Sequence, residues 1–165
     1  MRKYACVDDI GQIINPLIVE GQVHGGLAQG IAQALFEEAA YDDQGTLLSG
    51  TLVDYTLPSA ADLISFDTAN TITASTTNPL GAKGVGEAGT IASTPAVVNS
   101  VLDAIRHLGV KDIDMPTTPY RVWSAIQKSS GTAGRGDEAD IASPGAGLGS
   151  TASDISKGDT QGGHL

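Results

Sequence analysis

A chain of 165 residues with 41% hydrophobic and 17% charged side chains is long enough for one ordinary globular domain with its own core. A net charge of −10 argues against nucleic acid and anionic membrane as partners, since both select basic patches, and the single cysteine, Cys6, excludes an internal disulfide and, without a Cys/His cluster, a structural zinc site. No stretch approaches the roughly 20 apolar residues of a membrane span, and the start "MRKYACVDDI" has no apolar leader, so no membrane insertion and a cytoplasmic setting are expected.

In chain order, "KYACVD" alternates as an opening strand and runs into the acidic turn "DDIGQ". Asp8 and Asp9 read there as a solvated or turn-forming pair rather than as metal ligands. Asn15 and Pro16 are a cap and first helical residue, predicting a long helix over residues 16–39. Its apolar stripe is Val19, Val23, Leu27, Ile31 and Leu35. Beside it runs a stripe of small residues, Gly26, Gly30 and Ala34, that begins with Gln22. Glycines inside a helix cost about 1 kcal/mol each relative to alanine, so close approach by another body must offset that cost. Two readings stand: a tight helix–helix crossing, or a glycine face on which Gln22 offers its amide to a ligand. His24, lone and without a spaced partner, reads as a packing or surface residue.

Residues 39–76 are turn-rich. They suggest a hairpin about the Asp42–Gly45 turn, a strand at "TLVDYTLP" ended by Pro58, and another at "NTITAST". A second helix is expected from Thr94 and Pro95 to Gly109, burying Val97, Val101, Ile105 and Leu108. A short closing helix follows Thr118 and Pro119, with Val122, Trp123 and Ile126 facing inward. From Lys128 onward the chain has 9 Gly, 6 Ser and no aromatic residue, so 128–165 is expected to be a disordered tail, leaving a body of residues 1–127 with a charge of −8.

Between the last strand and the second helix lies "GAKGVGEAGTIA", residues 81–92. Gly84, Gly86 and Gly89 match the dinucleotide pattern GxGxxG, which makes a nucleotide-binding module a competitor. However, "STTNPLGAK" separates the motif from its strand, and Glu87 would repel a phosphate. A carboxylate is useful where a proton must be removed.

Taken together, "VDDIGQIINPLIVEGQVHGGLAQGIAQALFEE", "VDYTLP", "NPLGAKGVGEAGTIASTPAVVNSVLDAI" and "PTTPYRVWSAI" resemble the C-terminal part of the molybdopterin-binding large subunit of the xanthine dehydrogenase, aldehyde oxidase and carbon monoxide dehydrogenase family. The resemblance covers residues 3–127, and large subunits of that family are several times longer, so it implies a fragment, a split gene product or a truncated frame. It implies that Glu87 sits beside the molybdenum as general base for hydroxylation of an electron-poor carbon, with water as the oxygen source. Gln22 matches a pterin-contacting position, Gly25 and Gly26 follow it in the same motif, and the backbone of Lys83, Gly84, Val85 and Gly86 would lie close to the metal. No side chain is assigned as a metal ligand. The implied cofactor is a molybdopterin-type molybdenum cofactor, including its cytosine dinucleotide form. The implied partners, in a hetero-oligomer, are the remainder of the large subunit, an iron–sulfur small subunit and an FAD-binding medium subunit. The carbon monoxide enzymes also require an active-site cysteine on an upstream loop, a context that Cys6 does not share. The expected fold is α+β, two main helices packed on a mixed β-sheet, as the C-terminal lobe of a cofactor-binding domain. A stand-alone, noncatalytic binding or assembly module is the alternative.

Overall fold

A computed structural model describes residues 1–130. The elements are strand β1 (Ala5–Asp9), helix α1 (Pro16–Leu35), strand β2 (Asp67–Thr71), helix α2 (Ala88–Ile105), a single 3-10 turn (Arg106–Leu108) and helix α3 (Pro119–Ser129). The expected tail lies outside the described residues except at its start, where α3 continues through Lys128 and Ser129.

Helix α1 begins where its cap requires. The Asn15 side chain accepts a hydrogen bond from the Ile18 amide at 3.2 Å, and Pro16 occupies a first-turn position whose missing N–H costs nothing. The helix stops at Leu35, four residues short of expectation, because a last-turn carbonyl is satisfied from outside. Thr117 donates to the Ala34 oxygen twice, from its backbone N–H at 2.7 Å and its hydroxyl at 2.9 Å.

The small-residue stripe of α1 is a helix crossing. Gly26, Gly30 and Ala34 are buried, and α2 lies directly on them. A Cβ on Gly30 would stand 1.8 Å from the Ser93 hydroxyl, and one on Gly89 of α2 would stand 2.4 Å from the Val23 carbonyl oxygen. Close approach lets hydroxyls on α2 reach the backbone of α1: Thr90 donates to the Gly26 carbonyl at 3.0 Å and Thr94 to the Gly30 carbonyl at 3.2 Å. Beside this seam Val23, Leu27 and Ile31 form the core with Ile10 and Val97, and Tyr4 and Phe66 pack against it edge to face.

Several expectations need correction. The sheet among the described residues is two parallel strands, Ala5 opposite Asp67 through Asp9 opposite Thr71, and not a mixed sheet. Parallel pairing follows from the return of the chain through α1. "TLVDYTLP" forms turns, with Asp54 and Tyr55 both donating to the Thr51 carbonyl. Leu52 and Val53 stand 77% and 91% exposed, so the segment has β-forming residues but, among the described residues, no strand to pair with. Helix α2 starts at Ala88, with Pro95 inside it on an exposed turn, so Thr94 is a crossing residue and not a cap. β2 also begins three residues before the expected segment. The Asp42–Gly45 turn is present, closed by a Tyr41–Leu47 bridge.

Thr118 caps α3 as expected, but Trp123 is 57% exposed and does not anchor it. The helix is tied by polar groups instead: Arg121 pairs with Glu38 and donates to the Met115 carbonyl, and Ser129 donates to the Leu108 carbonyl at 3.1 Å. No helix among the described residues is long and apolar enough to cross a membrane.

Cys6 on β1 is half-buried and donates to the Asp8 carboxylate at 3.1 Å. Burial first, then that hydrogen bond and the Asp8 charge, push its thiol up to about 11. Alkylation by iodoacetamide at neutral pH is therefore expected to run about two orders of magnitude slower than that of a free thiol, because the thiolate is the nucleophile. A rate matching that of free cysteine would contradict this account of the Cys6 environment.

Candidate functional site

Two glycine-bearing segments meet at one end of the α1–α2 pair. The first is the N-terminal half of α1, where Gly21, Gln22 and Gly25 are exposed and a Cβ on either glycine would meet nothing within 4 Å. The second is the 81–87 loop, where Gly84 and Gly86 are equally open. The Gln22 side-chain amide donates to the Gly86 carbonyl at 3.3 Å and joins the two. The structure thus brings Gln22 and Gly86 together across 64 residues of sequence.

Glu87 is the residue preceding α2. Its backbone carbonyl accepts from Thr90 at 3.0 Å and Ile91 at 3.1 Å, starting the helix, and its exposed side chain makes no capping hydrogen bond. The GxGxxG stretch does enter a helix, α2, but no strand leads into it. Its third glycine, Gly89, is consumed by the contact with Val23.

Other predicted residues lie differently. Gly26 is buried in the crossing, with Thr90 3.0 Å from where its Cβ would stand, so it faces α2 and not the open side with Gly25. Val85 is half-buried and packs on the Ile10, Val23 and Leu27 cluster. Lys83 is held on both sides. Its amide donates to the Ile10 carbonyl at 3.0 Å and its ammonium stands 3.1 Å from Asp9. His24 turns inward, its ring edge-on to Phe66 at 5.8 Å and its Nε2 buried without a hydrogen-bond partner. This is the packing role expected of a lone histidine.

Asp9 forms the turn expected of it, but sequence reasoning missed its ties to Thr73 and Lys83. Its Oδ1 accepts from the Gly11 amide at 3.0 Å and the Thr73 amide at 3.0 Å, and it pairs with Lys83. Hydrogen bonds from Thr73, then Gly11 and Lys83, hold its carboxyl well below the usual carboxylate range. The sign follows: its contribution to stability is present above the unfolded carboxylate pKa of about 3.9 and is lost as pH falls through the folded value. The Asp–x–Gly spacing was the available signal, since Asx turns use it. Gly11 is in the left-handed region, φ 64°, and a Cβ there would stand 2.3 Å from the Gly81 carbonyl oxygen. That contact lets the turn after β1 lie against the glycine loop.

Between that turn and the loop runs a groove of about 200 Å³, lined by Ile10, Ile13, Ile18, Val85, Asn15 and Lys83 among others. Among the described residues no three His, Cys, Asp or Glu side chains gather as a metal site.

Residues 1–64 match the model of the molybdopterin cofactor-binding domain. Over 128 residues the chain is 44% identical to the carbon monoxide dehydrogenase large chain of Hydrogenophaga pseudoflava, covering 78% of this chain and 16% of that one. The nicotine 6-hydroxylase large subunit of Paenarthrobacter nicotinovorans is 40% identical over 77% of this chain and 16% of its own length. The crystal structure of quinoline 2-oxidoreductase from Pseudomonas putida 86 superposes with a TM-score of 0.75 at 43% identity, covering 78% of this chain and 16% of that chain. The chain thus spans about a sixth of these relatives. With the open glycine face, the Gln22 bridge and Glu87 at its edge, it belongs to the family of molybdopterin-binding large subunits of xanthine dehydrogenase, aldehyde oxidase and carbon monoxide dehydrogenase.

Proposed function

We propose that this chain forms the base-bearing wall of a molybdenum hydroxylase active site, oxidising a carbon centre of an aldehyde, an N-heterocycle or carbon monoxide, with water as the oxygen source and Glu87 as general base. The observation that carries the reading is the open face itself. Backbone at Gly21, Gly25, Gly84 and Gly86 is uncovered, one side-chain amide crosses it, and one free carboxylate stands at its rim. A large, flat, hydrogen-bonding group fits such a face, because backbone without side chains can be approached closely.

In this reading Gln22 and the backbone of Gly25 and Gly84–Gly86 hold the molybdopterin cofactor, the cytosine dinucleotide form included. When bound, the cofactor supplies the two-electron acceptor. In the reaction a water oxygen is joined to the substrate carbon, two electrons leave for that acceptor, and two protons are released, both from water when the substrate is carbon monoxide and one from the carbon otherwise. Glu87 takes the proton that the water gives up as its oxygen bonds to carbon.

The remaining walls belong to the rest of the large subunit, and the electrons leave through an iron–sulfur small subunit and an FAD-binding medium subunit. Exposed Leu17, Ile18, Leu52 and Val53 supply apolar surface for docking that remainder. The isolated chain is then inactive. The test is assembly of this chain with the rest of its large subunit in the presence of limiting cofactor. Gln22→Ala is expected to weaken cofactor affinity by about tenfold, as supporting hydrogen bonds at metal centres typically do. Equal molybdenum content in variant and unaltered protein would remove Gln22 from the site.

A further inference from the structure

We infer that Asp9 is a positioning residue: with Lys83 it clamps the turn after β1 to the glycine loop and so sets where the Glu87 carboxylate stands. The inference deepens the general-base reading and rests on it for its catalytic consequence. The clamp itself stands on geometry. Three ties cross between the two segments within a few residues: Lys83 Nζ to Asp9 at 3.1 Å, and the two hydrogen bonds that make the Gly11–Ala82 bridge, the Lys83 amide to the Ile10 carbonyl at 3.0 Å and the Gln12 amide to the Gly81 carbonyl at 2.9 Å. Asp9 also takes the Thr73 amide, which fastens the same carboxylate to the chain beyond β2.

Downstream of Lys83 the loop has little else to hold it. Gly84 and Gly86 touch nothing that a Cβ would meet, and the long-range ties before α2 are Val85 packing on the core and the Gln22 bond to Gly86. A loop with two open glycines samples many backbone states when released, and a base displaced by about 1 Å can lose two orders of magnitude in rate. The ion pair is partly exposed, its side chains 34% and 30% accessible, so its part is orientation more than global stability.

The experiment is amide hydrogen exchange on the full chain, comparing Asp9→Asn, Lys83→Met and Lys83→Arg with the unaltered protein. Asn keeps an acceptor for Gly11 and Thr73 but loses the charge, so it separates the ion pair from the turn. Expected are about tenfold faster exchange at Lys83, Ala88 and Thr90 in Asp9→Asn and Lys83→Met, restoration in Lys83→Arg, and unchanged exchange at Ile31 and Ala32 in α1. Unchanged loop exchange in both disruptive variants, failed restoration by arginine, or equal acceleration in α1 would each overturn the clamp. In protein assembled with the rest of its subunit, Asp9→Asn is expected to lower kcat at least tenfold with KM and molybdenum content unchanged; a change confined to KM would overturn the positioning role. Full turnover in Glu87→Gln would instead remove the base while leaving the exchange result, and the clamp, intact.

Discussion

Glu87→Gln, in the chain assembled with the rest of its large subunit, is expected to keep molybdenum at the unaltered level and to slow turnover by about 10²- to 10⁴-fold, the range commonly lost with a general base. Glutamine preserves size and shape and keeps an acceptor, so the first turn of α2, which rests on the Glu87 backbone carbonyl, is untouched. What changes is the ability to take a proton. The side chain has no capping bond to lose, and its exposure means that removing its charge leaves no buried group without a partner. Steady-state turnover with metal analysis checks it: undiminished kcat at full occupancy would exclude the role, and loss of metal would make Glu87 a binding residue.

Gly89→Ala carries the largest expected effect on stability. Alanine is the better helix former by about 1 kcal/mol. Against that, its Cβ would stand 2.4 Å from the Val23 carbonyl oxygen and 2.9 Å from the Leu27 amide nitrogen. Both are backbone atoms of α1 and cannot swing aside, so the helices must separate by about 1 Å, and overpacking of this kind typically costs about 1 to 3 kcal/mol. The Thr90 and Thr94 bonds to the Gly26 and Gly30 carbonyls would lengthen with it. A net loss of about 2 kcal/mol in urea unfolding is expected. Gly21→Ala, where a Cβ meets nothing within 4 Å, should instead gain up to about 1 kcal/mol. Equal effects at both positions would show that the crossing is not the constraint.

Much of this was legible in the residues because it is local. Asn15–Pro16 and Thr118–Pro119 announce two helix starts by cap chemistry, and Gly109, at φ 90°, ends the 3-10 turn after α2 as its lack of a Cβ permits. The i+4 stripe of Val23, Leu27 and Ile31 is the core. The start of α2 was not legible. Pro95 resembles a first helical residue, but its ring is accommodated on an exposed face, while Thr90, Ser93 and Thr94, polar enough for a cap, spend their hydroxyls on the crossing and on α2 itself. "TLVDYTLP" misled because β-propensity measures packing against a neighbour, and among the described residues no strand lies beside it. The turn at Asp9 was legible, but its ties to Thr73 and Lys83 were not, since these partners lie more than sixty residues away. The loop could be recognised from its motif, whereas its fastening to the β1 turn is a tertiary fact.

The measurement that bears most directly on the account is anomalous X-ray diffraction at the molybdenum edge from crystals of the assembled, loaded protein. A single strong peak is expected on the open face, beside the Glu87 carboxylate and within reach of Gln22 and the Gly84–Gly86 backbone. A peak elsewhere in fully loaded protein, with Glu87 still open to solvent, would contradict it.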